Sequence, residues 1–196
     1  FQAPFAGVGQ PLLTEPAQIT VHSGPDELLD DIWSFCPFRI HIAEKAITEK
    51  FRDSPRDSQW TALDVELQTV RLLAFKEQNR VLPSYDGQAL LQRMQAAAEA
   101  LPDSAQVRRA LGLLLMQNGK MSDARQALEQ AHDMDSSPYS LLAMAFWHGP
   151  VIAEVEPILK EVEAYAPDLS ALWLYRAWLA QARGDVRSAD AAYHAV

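Results

Sequence analysis

The sequence is poor in the residues that most site chemistry requires. Across 196 residues there is a single cysteine, Cys36, which excludes an internal disulfide and any zinc site built from several thiolates. A thiol-poor chain suits the cytoplasm and the bacterial periplasm alike, so the compartment stays open. The five histidines, His22, His41, His132, His148 and His194, never stand one helical turn apart and form no HExxH, so no metal site is expected. Glycine-rich loops that could cradle a phosphate are missing. No run of about 18 apolar residues occurs, so no segment is expected to insert across a bilayer. Cations are scarce as well: 17 Lys and Arg against 26 Asp and Glu give a net charge of −9, which disfavours a nucleic-acid duplex or an anionic membrane surface as partner.

The few reactive residues present read as structural. Cys36 stands among Trp33, Phe35 and Phe38, apolar surroundings that disfavour a thiolate and predict a buried, inert thiol. His132-Asp133 falls at a helix end, where a histidine complements the macrodipole. Acid pairs such as Asp30-Asp31 read as solvated faces. No catalytic residue, cofactor or metal is expected.

What the chain does have is helical periodicity, and a hydrophobic content of 48% excludes wholesale disorder. The stretch 102–135 describes two antiparallel helices. Val107, Leu111, Leu114 and Leu115 recur at helical spacing behind the start signal Pro102-Asp103-Ser104. Asn118-Gly119-Lys120 breaks the helix, since glycine tolerates the left-handed conformation that closes helices, and Ser122 or Asp123 is placed to cap the next one. That second helix carries Ala124, Ala127, Leu128 and Ala131 on one face. Gly112 and Ala124 have almost no side chain, so the two axes are expected to approach closely there.

Around this hairpin the chain divides into an extended arm, a divergent pair and further hairpins. Residues 1–22 contain Pro4, Pro11 and Pro16 without helical period and read as an arm, either a tether or a segment whose Phe1, Phe5, Leu12, Leu13 and Ile19 dock on the helices. Residues 23–57 form a divergent helical hairpin. Its first helix starts at Ser23-Gly24-Pro25 and runs to about Phe35, and its second spans Phe38 to Arg52. From 58 to 196 the pattern gives hairpins at about 58–101, 102–135, 136–166 and 167–196, with Pro157 interrupting the second stripe of the third. The start at Phe1 and an end within a helical pattern read as a piece of a longer protein.

A period of about 34 residues with this layout is a solenoid signature. Leu111-Gly112, Gly119, Ala124, Leu128 and Ala131, with Pro102 ahead, resemble the tetratricopeptide repeat pattern. Arg108 stands where the family carries its first tryptophan, and Leu115 replaces the usual tyrosine. The likeness returns over 167–196, where Trp173 supplies that tryptophan. It is looser over 136–166 and 86–101, and stops before about 58. The resemblance implies an all-α fold: a right-handed α-solenoid of helix-turn-helix repeats with a divergent helical N-terminal part, serving as a non-catalytic scaffold or assembly factor that binds another protein or peptide.

In such a solenoid the first helices line a concave face. On it are expected Gln106, Arg109, Leu113, Met116 and Gln117 from the hairpin at 102–135, and Ala171, Leu174, Trp178 and Gln181 from the last, with Trp147 or Phe146 extending the surface and Arg109 orienting an acidic group. The last first-helix is apolar nearly all round, and one packed side cannot bury all of it. The surplus is read as a groove for an apolar or amphipathic peptide, as a seat for the N-terminal arm, or as a contact for a further repeat, and a homo-oligomer is also compatible. Repeats of this family that hold acidic chaperone tails resemble one another in a clamp of Lys and Asn on one first helix and Lys and Arg two repeats later. Arg109, Leu113, Ala171 and Tyr175 stand at those places, and one cation leaves two carboxylates without enough partners. A second function class is the sensory or regulatory domain of a larger, membrane-anchored bacterial protein.

Overall fold

A computed structural model describes residues 26–54, 57–77 and 87–195. The arm at 1–22, the start signal at Ser23-Gly24 and the break from Pro83 to Asp86 lie outside these residues. Every element described is helical, and no strand occurs among them. A 3-10 turn, Asp26–Leu28, runs into α1, Leu29–Ile32. There follow α2, Pro37–Asp53; α3, Ser58–Glu77; α4, Gly87–Ala100; α5, Ala105–Gln117; α6, Met121–Met134; α7, Pro138–His148; α8, Ile152–Tyr165; α9, Ser170–Ala182; and α10, Val186–Tyr193.

The α5–α6 hairpin shows why these residues form these elements. Ser104 caps α5, its hydroxyl accepting from the Val107 amide at 3.3 Å. Gly119 adopts φ 73°, and the Lys120 amide bonds back to the Leu115 carbonyl, closing the helix end. A Cβ added at Gly112 would lie 2.6 Å from Leu128 Cγ and 3.2 Å from the Ala124 carbonyl oxygen, so the axes meet where two small residues were expected. Two local expectations shift. Neither Ser122 nor Asp123 caps α6, because the helix already begins at Met121 and Lys120 occupies the cap without a side-chain bond. The first N-terminal helix is one turn and stops at Ile32 rather than Phe35, since Phe35 turns into the left-handed region at φ 54°.

A matching device marks the two hairpins that look most alike in sequence. In α9 the Trp173 indole donates to the Pro167 carbonyl at 2.7 Å, and in α5 the Arg108 guanidinium donates to the Pro102 carbonyl at 3.2 and 3.3 Å, each six residues back. Arginine thus replaces tryptophan as the donor that pins the entering chain to its helix.

Packing follows the order of the chain. α3 packs on α4, α5 on α6, α7 on α8 and α9 on α10, while α3 also packs on α5 and α5 on α7. Tyr175 of α9 joins this series, its hydroxyl lying 2.7 Å from the carbonyl oxygens of Ala145 and Gly149 at the end of α7. Two apolar clusters result, and α3 is shared between them: Ala62 and Val65 pack with α4, α5 and α6, whereas Leu63, Leu67 and Val70 belong with α1, α2, α7, α8 and α9. Pro157 lies inside α8, whose helix continues around it, although the Ala153 carbonyl loses its usual amide partner there.

Candidate functional site

The helices α3, α5, α7 and α9 contribute to one apolar cluster, and α1, taken with its flanking residues Leu28 and Trp33, is seated in it. Leu28, Ile32 and Trp33 are fully buried there, with Leu113 of α5, Leu141 and Ala145 of α7, and Tyr175 and Leu179 of α9 in the same cluster. Beneath α1 lies a polar group cut off from water. Glu66 of α3 is 0% exposed and Arg109 of α5 is 1% exposed. Arg109 Nε lies 2.7 Å from Glu66 Oε1 and Nη2 lies 3.2 Å from Oε2, a forked pairing that matches the planar guanidinium to both carboxylate oxygens. Trp33 donates its indole N–H to Glu66 Oε1 at 2.7 Å, and Arg109 Nη1 reaches the Ser140 hydroxyl at 3.3 Å. The guanidinium also sits 5.6 Å from the Tyr139 ring centroid, a cation–π contact. Tyr139 in turn donates its hydroxyl to Asp30 on α1. Burial, followed by the bond to the Asp30 carboxylate, pushes the Tyr139 hydroxyl far above its ordinary titration range.

An aromatic row leads outward from this point. Trp33 meets Phe146 at 6.1 Å between centroids, Phe146 meets Tyr175 at 4.8 Å, and Tyr175 meets Trp178 edge-on at 5.2 Å. Phe35 stacks on Phe146 as well. Burial alone raises the Tyr175 hydroxyl, which donates only to backbone carbonyls. Trp178 is half-buried and ends the row.

The residues expected on an open concave face therefore separate into three groups. Arg109, Gln106, Leu113 and Ala171 are buried, a correction for each as a lining residue. Arg109 is paired with Glu66 and shut off from the surface, so it does not reach an outside acid. Trp147 is turned elsewhere: its indole N–H donates to the Met121 carbonyl at 3.1 Å, and the Arg125 guanidinium lies 5.3 Å from its ring, so it belongs to the α6 side. Its neighbour Phe146 takes the place on the aromatic row, since consecutive helical residues point about 100° apart. Met116, Gln117, Leu174 and Trp178 are half-buried, and Gln181 is exposed, accepting from the Tyr193 hydroxyl at 3.0 Å. A cleft of about 360 Å³ lies at the other edge of α1, lined by Asp30, Ser34 and Arg39 on one side and 165–170 on the other, and it includes none of the expected residues.

Sequence reasoning passed over Glu66, Tyr139 and Ser140. A signal for Glu66 was present: it stands beside Leu67 and between Leu63 and Val70 on the apolar face of α3, where a charge must be paired or neutralised. Cys36, expected to be buried, is exposed, because the chain turns at Phe35 before reaching it.

Among the described residues, no group of three or more His, Cys, Asp and Glu is placed to hold a metal ion, and no helix is long and apolar enough to cross a membrane. Comparison with protein-family models, with curated proteins and with solved structures yields no match.

Proposed function

We propose that this chain is a non-catalytic protein-interaction module, built as a right-handed solenoid of tetratricopeptide-like hairpins, that holds an amphipathic or apolar segment of another protein against its first helices. One observation carries the reading: a short helical segment, α1, is already held by side chains of α3 and α7 in the way a partner helix would be. Full burial of Leu28, Ile32 and Trp33 contributes about 1.5–3 kcal/mol each, which is the kind of hold a bound peptide needs. The row from Phe146 through Tyr175 to half-buried Trp178 continues this surface past the end of α1 and offers the remaining aromatic area. The shared donor at Arg108 and Trp173 supports reading the hairpins as repeats of one unit.

The test is capture of partners from native extract by wild-type protein and by Trp178→Ala, followed by identification of what the variant loses. A hot-spot tryptophan is expected to weaken capture about tenfold or more. Unchanged capture with unchanged thermal stability would remove Trp178 and its row from the binding surface.

A further inference from the structure

We propose that α1 is a built-in competitor, covering the binding face until an acidic amphipathic helix carrying a tryptophan takes its place. This rests on the interaction-module reading above and adds the chemistry of the partner and the control of access.

The contacts of α1 specify that chemistry. Asp30 and Trp33 are three residues apart and so share a helix face. Asp30 receives the Tyr139 hydroxyl while Trp33 gives its N–H to Glu66. Asp31 receives Arg39 of α2 at 2.7 Å. Leu28 and Ile32 fill the apolar cluster on either side. A partner that reproduces the two adjacent acids, an indole one turn after the first of them and flanking Leu or Ile would satisfy Tyr139, Arg39, Glu66 and the apolar cluster together. A partner without the indole would leave Glu66 one hydrogen bond short in a dry site.

Three features make α1 displaceable. It is a single turn extended only by the 3-10 turn Asp26–Leu28, too short for helical stability of its own, so tertiary contacts hold it. Its exit is strained, since Phe35 sits at φ 54°, a region non-glycine residues rarely occupy. The cleft of about 360 Å³ between Asp30, Ser34 and Arg39 on one side and Tyr165–Ser170 on the other opens the polar edge of the segment to solvent. The face also survives the exchange. Glu66 keeps its forked bond to Arg109 when Trp33 leaves, and the pair regains hydration that burial had removed, so opening strands no lone charge.

The probe is a fluorescein-labelled synthetic peptide of residues 26–35, DELLDDIWSF, titrated into the full chain as wild type and as an Ile32→Ser variant that loosens α1. The variant should bind the peptide about tenfold or more tighter than wild type, because the competing state is depleted. Trp33→Phe in the peptide should cost about fivefold, the worth of the lost N–H bond. Equal affinity for both chains, or no binding by a variant whose helical circular dichroism matches wild type, overturns α1 as competitor while leaving the Trp178 capture result to decide the module reading. Should the variant unfold, hydrogen exchange on the wild type decides. Amides of Ile32 and Trp33 opening separately from those of Leu113 and Leu114 support the proposal, and exchange of both sets in one global event overturns it.

Discussion

Arg109 and Glu66 meet through two hydrogen bonds at a point where neither side chain touches water, and the indole of Trp33 closes the same carboxylate from above. Removing one partner strands the other as an uncompensated buried charge. Glu66→Gln and Arg109→Met should each lower unfolding free energy by about 3–5 kcal/mol, and the double substitution should cost clearly less than their sum. Urea unfolding of the four proteins measures this. Additive single effects would mean that the two groups do not act as a pair.

Gly112 and Gly119 are needed for different reasons, and substitution separates them. At Gly112 a new Cβ meets Leu128 Cγ at 2.6 Å, so Gly112→Ala should destabilise by about 1–3 kcal/mol despite alanine's better helix propensity, and Gly112→Asn by more. At Gly119 nothing lies within 4 Å of such an atom and only the φ of 73° matters. Gly119→Asn should therefore be tolerated, because asparagine enters that region more readily than other residues. Thermal melts that rank the two asparagine variants the other way would contradict the close crossing of α5 and α6.

Tyr139 and Tyr175 hold their protons in the folded state above the ordinary tyrosine value of 10.0. The unfolded chain therefore releases protons first as pH rises. The stability these two groups contribute is fully present below pH 10.0 and is lost progressively above it, toward their raised folded values. Tyr175 should remove up to about 1.4 kcal/mol per pH unit in that interval, and half-buried Tyr139 less, because solvent screens its bond to Asp30. Absorbance titration should show both tyrosines silent until the alkaline unfolding transition. Their ionisation in protein that is still folded would contradict the burial of the Tyr175 hydroxyl and the Tyr139–Asp30 hydrogen bond.

Cys36 is exposed beside the turn at Phe35. Under native conditions a thiol-specific disulfide reagent should modify it completely without added denaturant. Protection that lasts until global unfolding would place the α1–α2 turn inside the protein.

Much of α5–α6 and α9–α10 was legible because their periodicity, caps and small residues sit close together in sequence. Val107, Leu114, Ala124, Leu128 and Ala131 are all buried as the spacing required. Arg109 was misread because its partner is 43 residues away. A cation on a helix face reads as solvated by default, and only the charge at Glu66 within an apolar stripe hinted otherwise. Sequence alone does not separate Trp147 from Phe146, because a one-residue shift of register on a helix swaps the sides they face. The same limit applied to α1. Local pattern extended it to Phe35, while the left-handed turn that ends it is held by stacking on Phe146, a contact with the other half of the chain.

Partner binding is proposed on the surface of the first helices, continued by the aromatic row. Hydrogen exchange measured with and without the partner captured by wild-type protein tests it most directly. Protection should appear over 141–147 in α7 and 172–180 in α9, with faster exchange over 28–33 as α1 gives way. Protection confined to α6, α8 and α10, with α1 unchanged, would contradict it.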